Sequence, residues 1–400
     1  MFRKKIFTAL ALCFLLNHVF AQREFVKQII SNVNIDSLVL SVRQLSGDTT
    51  FLLNGLKDSV TSRYADSPDI NKASQFIKQR FQLYGLNPLE QGYHTNGYKG
   101  KNIYAIQPSS QGSKKCYIIC AHYDDLPVGK KNYGVDDNAS GVSGVLEAAR
   151  LLGKLSLPFT IYYILFDHEE QGLVGSDYFC TLFDIGLNQV SAVLNLDMIS
   201  FDGNNDSVSN IHLRNNAGDI LIANSINYIN ITYQIGLHIN QITPPSFQSD
   251  HSSFWNNFMP AVFITEDDKN DMNPGYHTLN DRMNLVNKSF FHRMAKLAVG
   301  TLTDFASDST HLGVNTILPE NSQITLAPNP IENNEIMIEG IIGNHLHYRI
   351  TDAKGILVTE NKITIEQAPV ILKLPPEISS GLYFLEMITG EANYHKSFIK

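Results

Sequence analysis

The chain has 400 residues, of which 43% are hydrophobic and 18% charged, a composition typical of a folded protein with a sizeable apolar core. Single cores stop growing at roughly 250–300 residues, so this length favours more than one domain. The net charge of −8 is mild, and the sequence contains no basic block. Both features argue against a nucleic-acid partner and against a protein held on a membrane surface by charge.

The first residues have the three-part layout of a secretory signal peptide. A basic triplet at residues 3–5 precedes the apolar run 6–16, and Ala21 ends a small-residue segment of the kind that signal peptidases cleave. The apolar run is too short to span a bilayer, which takes about 20 residues, and no later segment is long enough either. We therefore expect residues 1–21 to be a signal peptide and the remainder to be exported without a transmembrane segment.

The next part of the chain has the pattern of an α/β domain. Helical spacing of apolar residues predicts helices over residues 24–45 and 71–84, the second of them capped by Gly85. Short, continuous apolar runs then alternate with helical segments. Runs without polar alternation are typical of strands buried on both faces, as in a mostly parallel central sheet. The predicted strands are Cys116–Ala121, Phe159–Phe166, Val190–Leu196 and Ala261–Thr265, and the predicted helices between and after them are 139–155, 250–257 and 288–307.

The composition changes after about residue 308. Residues 323–400 consist of short alternating segments separated by turn signals such as Asn329-Pro330 and Lys354-Gly355. This pattern predicts a small all-β, immunoglobulin-like sandwich, joined to the α/β domain (residues 22–308) by a linker over residues 309–322.

The cysteines do not form a disulfide scaffold. Cys13 belongs to the signal peptide, and Cys116 and Cys120 lie too far apart on one predicted strand to bridge each other. Either of them could pair with Cys180, which would leave one free thiol. We interpret all three as small, buried apolar residues.

Residues of the kind that bind metals follow three of the predicted strands. The first strand runs into His122 and Asp124, the second into Glu169 and Glu170, and the third into Asp197. Ligands of open α/β sheets bind beyond the carboxyl ends of the strands, so these side chains should meet at one edge. Zinc accepts imidazole nitrogen and carboxylate oxygen, which makes this edge a candidate zinc site.

Two loops add further candidates. The segment 134–141, with sequence GVDDNASG, places Asp137 in a loop of small residues ahead of a helix. An aspartate there can also be a helix cap, but one cap does not need two consecutive aspartates. The second loop, 273–281, carries His277 between turn residues.

The motifs AHYDD, GVDDNASG, FDHEEQGLVGS, LNLDM, SDHSSFW and NPGYHTLND occur in this order, and together they resemble the bacterial secreted zinc aminopeptidases of metallopeptidase family twenty-eight. The resemblance spans about residues 36–307 and implies their three-layer zinc exopeptidase fold. It also implies two Zn²⁺ ions, with one bound by His122 and Asp197, the other by Glu170 and His277, and Asp137 bridging them. Three carboxylates and one hydroxide would balance the charge of such a pair.

In such a site Glu169 would act as the general base for a metal-activated water. Asp124 follows His122 by two residues, so in an extended segment both side chains point the same way and Asp124 can accept the second imidazole N–H. Asp281 is a weaker candidate for the same role behind His277. Some relatives place an oxyanion-stabilising tyrosine near the SDH segment, and residues 244–249 contain none.

The C-terminal segment resembles the sorting domain of the type IX secretion pathway in its motifs LAPNP, DAKG, SGLYF and KSFIK. The alternative is a generic immunoglobulin-like appendage that binds carbohydrate, but no aromatic cluster supports that. The resemblance implies that the type IX secretion machinery is a partner and that the protein crosses the periplasm and outer membrane to be secreted or held at the cell surface.

The sequence thus predicts a secreted dinuclear zinc aminopeptidase that hydrolyses N-terminal peptide bonds. Three alternatives remain: a glutaminyl cyclase, which resembles a mononuclear member of the same fold, a carboxypeptidase-type relative, and a non-catalytic peptide-binding surface protein. Retention of Glu169 and of all five candidate ligands argues against the first and the last.

Overall fold

The computed structural model describes residues 22–126, 131, 133–183 and 189–307 and, further on, 325–327, 331, 334–339, 345–352, 357–365, 369–376, 378–389 and 393–400. The chain forms two compact units, Met1–Leu312 and Gly313–Lys400. The predicted signal peptide and the predicted linker lie outside the described residues, so both stay predictions. None of the described helices is both long and apolar enough to cross a membrane.

The first unit is built on an eight-stranded mixed sheet. Its strands are β3 (Pro88–Thr95), β4 (Tyr98–Gln107), β5 (Lys115–His122), β6 (Thr160–Phe166), β7 (Gln189–Leu196), β8 (Val208–His212), β9 (His238–Ile242) and β10 (Ala261–Thr265), which follow a hairpin of β1 (Phe51–Leu53) and β2 (Leu56–Asp58). The order across the sheet is β3-β4-β6-β5-β7-β10-β8-β9. The four middle strands, β6, β5, β7 and β10, are parallel to one another, whereas β4 and β8 join them antiparallel. The predicted mostly parallel central sheet is confirmed.

Helices cover both faces of this sheet and complete three layers. They are α1 (22–31), α2 (Ile35–Leu45), α3 (Ile70–Leu83), α4 (Gly141–Leu152), α5 (Val174–Leu182), α6 (Ala217–Thr232), α7 (His251–Asn256) and α8 (Lys288–Ser307). Alternate residues of β5 divide between two cores, because successive side chains of a strand point to opposite faces. Ile119 joins the core that contains α4 and α8, and Ile118 joins the core that contains α5 and α7.

The predicted strands of the middle sheet agree closely with the structure, and the helices differ in informative ways. The predicted helix over 24–45 is two helices, because Asn34 accepts the N–H of Ser37 and caps α2. The helix predicted from residue 139 begins at Gly141, after an irregular turn, Val135–Ser140. Cys116, Cys120 and Cys180 are all buried free thiols, as predicted.

The second unit is the predicted small all-β sandwich. One antiparallel sheet contains β11 (Thr325–Ala327), β12 (Glu335–Glu339) and β15 (Val370–Lys373), and the other contains β13 (His345–Asp352), β14 (Leu357–Thr364), β16 (Leu382–Thr389) and β17 (Asn393–Ile399). Buried residues of both sheets, among them Ile336, Ile338, Leu346 and Leu372, form one core that this unit has to itself.

Candidate metal centre

The carboxyl ends of β5, β6 and β7 deliver polar side chains to one edge of the sheet. His122 is the last residue of β5, and Asp197 follows β7 directly. Glu169 and Glu170 come just after β6, where His168 adopts a left-handed backbone conformation (φ 56°) that turns the chain. Because these three strands are neighbours and parallel, their ends converge as the sequence predicts.

Two groups of donor atoms share the side chain of Asp137. His122 Nε2 lies 3.2 Å from Asp197 Oδ1 and 3.3 Å from Asp137 Oδ1. On the other side, His277 Nε2 lies 3.3 Å from Asp137 Oδ2 and 3.1 Å from Glu170 Oε2. Asp137 therefore presents one oxygen to each group, and the structure brings together all five residues that the sequence singled out.

The donor set fits zinc in both geometry and chemistry. Two ligand atoms on one tetrahedral zinc, each about 2.0–2.1 Å from the metal, are about 3.3 Å apart. The measured separations within each group, 3.1–3.3 Å, match that value. In addition, Glu170 Oε1 is buried and has no hydrogen-bond partner among the described residues, which is costly for a carboxylate unless a cation lies nearby.

The electrostatics of the site favour the same conclusion. Burial raises the pKa of Glu170 to about 8, and the negative charge of Asp137 adds to the shift. Burial likewise raises the pKa of Glu169 and that of Asp197. Burial alone would lower the pKa of His277, but its contacts with Asp137 and Glu170 outweigh burial and raise it to about 10. These groups hold protons that a cation must displace, so cation affinity should fall as the pH falls.

Asp124 lies beside His122 and contacts the backbone of Glu169 and Glu170. Its Oδ1 lies 3.5 Å from His122 Nδ1, but this nitrogen makes no hydrogen bond to a described residue, so the acceptance of its N–H by Asp124 stays a prediction. It also accepts the backbone N–H of Glu169 at 3.1 Å and that of Glu170 at 3.2 Å. The second contact, which the sequence did not indicate, fixes the adjacent glutamates relative to His122.

The turn that carries Asp137 is held by buried polar side chains. Asp281 accepts the backbone N–H groups of Asp136 and Asp137, so it supports this turn and not His277, contrary to the sequence-based suggestion. Asn138 donates to the carbonyl of Leu196 at 2.9 Å and thereby ties the turn to the end of β7. The peptide bond between Asp137 and Asn138 is cis.

Arg63 is a supporting residue to which the sequence analysis gave no role, and it lies outside the six motifs that carry the resemblance. It is fully buried, and its guanidinium donates to the carbonyls of Tyr123 (2.9 Å), Tyr133 (3.1 Å) and Gly134 (2.8 Å). These carbonyls belong to the segment after His122 and the segment before Asp137. Arg63 therefore fixes the two segments relative to each other.

Tyr276 is a second residue that the sequence analysis missed. Its ring stacks on that of His277 with centroids 3.7 Å apart, and the side chain is 37% exposed. Burial and the charges of Asp137 and Asp197 raise the pKa of its hydroxyl, so the phenol stays protonated and can donate a hydrogen bond. Residues 244–249, leading into the SDH segment, contain no tyrosine, whereas Tyr276 is adjacent to His277.

Three known proteins are similar to this chain in sequence or in fold. A probable leucine aminopeptidase of Arthroderma otae is 27% identical over 295 residues, which cover 70% of this chain and 75% of that protein. The crystal structure of LapA from Legionella pneumophila superposes with a TM-score of 0.60 at 25% identity, covering 71% of this chain and 76% of LapA. BSAP, a zinc aminopeptidase from Bacillus subtilis, shares the fold with a TM-score of 0.59 at 15% identity, over 69% of this chain and 96% of BSAP.

The family described as peptidase family M28 matches residues 102–302, half of the 400-residue chain. The matched segment contains each of the five candidate ligands together with Glu169, Asp124 and Tyr276. The chain therefore belongs to peptidase family M28.

Proposed function

We propose that this M28 peptidase is a dinuclear zinc aminopeptidase that removes N-terminal residues from peptides. The observation that carries the proposal is the position of Asp137, whose two oxygens face two separate groups of donors. His122 and Asp197 would hold one ion, Glu170 and His277 the other, and Asp137 would bridge them. The names of two relatives, a probable leucine aminopeptidase and a zinc aminopeptidase, support the choice of reaction and of metal.

A bound zinc pair supplies Lewis-acid activation of water and of the scissile carbonyl. Glu169 is placed to handle the proton, since it is buried beside the ligands with Oε2 4.0 Å from His122 Nε2. We assign it the role of general base, which takes a proton from the attacking water and passes it to the leaving amine. Tyr276 is placed to donate its hydroxyl hydrogen to the carbonyl oxygen as negative charge develops there.

The decisive experiment combines metal analysis with a substrate panel. The purified protein is assayed on aminoacyl-anilides, N-terminally blocked peptides and N-terminal glutaminyl peptides, with and without added zinc. We expect hydrolysis of free-amine substrates only, and two zinc ions per chain by elemental analysis. Glu169→Gln should retain both ions and lose roughly 10²–10⁴-fold in kcat, the usual contribution of a general base.

Other outcomes would support the alternatives. Cyclisation of glutaminyl peptides with one zinc per chain would indicate a glutaminyl cyclase, and cleavage at the C-terminus of blocked peptides would indicate a carboxypeptidase. Zinc binding without turnover of any substrate would indicate a peptide-binding protein. Each of these results would contradict the proposed aminopeptidase.

We also propose that the enzyme is exported through the periplasm and the outer membrane and acts outside the cell or on its surface. The layout of residues 1–21 and the motifs of the C-terminal segment support this proposal. The C-terminal β-sandwich has its own core and contributes none of the candidate site residues. A module that serves only in sorting by the type IX machinery does not need to take part in catalysis.

A further inference from the structure

The backbone of Ser246, in the segment between β9 and α7, is held on both sides by buried histidines. Its N–H donates to Nδ1 of His212 at 2.9 Å. Its carbonyl oxygen accepts a hydrogen bond from Nε2 of His251 at 3.0 Å. His212 is the last residue of β8 and His251 the first residue of α7, so two separate elements fix the backbone of one residue on both sides of its Cα.

These contacts determine the tautomer of each imidazole. A carbonyl can only accept, so Nε2 of His251 must carry the proton. An N–H can only donate, so Nδ1 of His212 must be unprotonated, and its Nε2–H then donates to Asp268 Oδ1 at 3.1 Å. Both imidazole rings also stack on the ring of Phe263. The centroid distance is 5.0 Å in each case, and the interplanar angle is 26° for His212 and 18° for His251.

The held segment leads directly to a candidate ligand. Three residues after Ser246, the hydroxyl of Ser249 donates to Asp197 Oδ2 at 2.6 Å, while the other oxygen of Asp197 faces His122. Asn195 donates to the Ser249 oxygen at 2.7 Å and so orients the hydroxyl hydrogen towards Asp197. His212, His251 and Ser249 are all fully buried.

We infer that His212 and His251 are positioning residues that act as a clamp on Ser246, and through Ser249 fix the orientation of Asp197 for zinc. This inference rests on the proposed function, in which Asp197 is a zinc ligand. The clamp adds two residues that are not among the candidate ligands.

Asparagine and glutamine substitutions can separate the two ends of each ring. The amide group of asparagine reaches the position of Nδ1 and that of glutamine the position of Nε2. His212→Asn therefore keeps an acceptor for Ser246, whereas His212→Gln keeps only the donor to Asp268. At the other position the order is reversed, because His251→Gln keeps the donor to Ser246 and His251→Asn loses it.

The readouts are zinc affinity, measured by competition with a chromophoric chelator, and kcat and KM on an aminoacyl-anilide. We expect His212→Gln and His251→Asn to weaken zinc binding by about tenfold, the lower end of the range for residues that orient ligands. His212→Asn and His251→Gln should stay within about threefold of the wild type.

Asp268→Asn, which leaves the bond to Ser246 intact, is the matched control and should also retain zinc. Ser249→Ala removes the hydrogen bond to Asp197 and should weaken zinc binding as His212→Gln and His251→Asn do.

Equal losses in all four histidine variants would overturn the clamp in favour of a general packing role. So would wild-type zinc affinity in both His212→Gln and His251→Asn. A wild-type protein that binds zinc but hydrolyses no peptide would overturn the proposed function alone, since the comparison of zinc affinities still tests the clamp.

Discussion

Several residues of the site each contact two other groups, so a substitution of one such residue affects both groups. Asp137 faces both donor groups, and Asp124 accepts the backbone N–H groups of both Glu169 and Glu170. Asp281 accepts two consecutive N–H groups of the turn that carries Asp137. Removing one such acceptor leaves buried donors unpaired, at a cost of about 1–3 kcal/mol for each group. Tyr276 differs, because it is partly exposed and contacts the site through the stacking of its ring on His277.

Tyr276→Phe removes one hydroxyl donor without a change in packing, since the ring that stacks on His277 is kept. We expect kcat to fall by roughly 10²-fold, the usual effect of losing an oxyanion donor, with KM nearly unchanged and two zinc ions retained. Steady-state kinetics on an aminoacyl-anilide and elemental analysis give these values. Tyr228→Phe, on α6 and packed against the core, is the matched control and should leave kcat unchanged. An unaltered kcat in Tyr276→Phe would remove this tyrosine from the mechanism.

At the scale of elements, the site depends on how closely α4 approaches the end of β7. Gly141, the first residue of α4, has no room for a side chain, because a Cβ would meet the carbonyl oxygen of Leu196 and the side chain of Asn138. The same residues connect the turn of Asp137 to the strand that leads into Asp197. Glycine at this position therefore sets the distance between Asp137 and Asp197, two of the candidate ligands.

Gly141→Ala should push α4 and its preceding turn away from β7. We expect the free energy of unfolding to fall by about 1–3 kcal/mol, as for other overpacked sites, and zinc affinity to fall with it. Chemical denaturation and chelator competition measure the two effects. Gly92→Ala, in β3 where a Cβ would meet nothing within 4 Å, is the control and should change stability by less than about 0.5 kcal/mol. A fully stable Gly141→Ala variant would show that the approach of α4 is adjustable.

The elements also show which features a sequence can predict. The middle strands were predicted because burial on both faces demands continuous apolar runs, and these strands also place the ligands. The strand pair β3 and β4 was missed because its burial is partial and irregular, which resembles a loop. Arg63, Ser249 and Tyr276 were missed or given no role for another reason. Their importance comes from contacts between distant segments, which leave no local pattern in the sequence.

At the scale of the whole molecule, one unit of the chain carries the candidate site and the other is an appended β-sandwich. The five candidate ligands, Glu169 and Asp124 all lie in the unit Met1–Leu312, and the described residues that form the cores of this unit all belong to it. The β-sandwich likewise buries its own core. Domains with separate cores generally fold independently, so the two activities proposed for this chain should be separable.

Deletion of residues 313–400 is the change that tests this separation. The truncated protein should keep two zinc ions and a kcat/KM on aminoacyl-anilides within about twofold of the full chain, because no ligand or supporting contact described for the site is lost. In a host with a type IX secretion pathway, the same deletion should leave the enzyme in the periplasm, as judged by activity in cell fractions and culture medium. A matched chain with Glu169→Gln and an intact C-terminal unit should be exported without being active. Export of the truncated chain would contradict the sorting role, whereas loss of zinc from it would show that the peptidase unit depends on the β-sandwich.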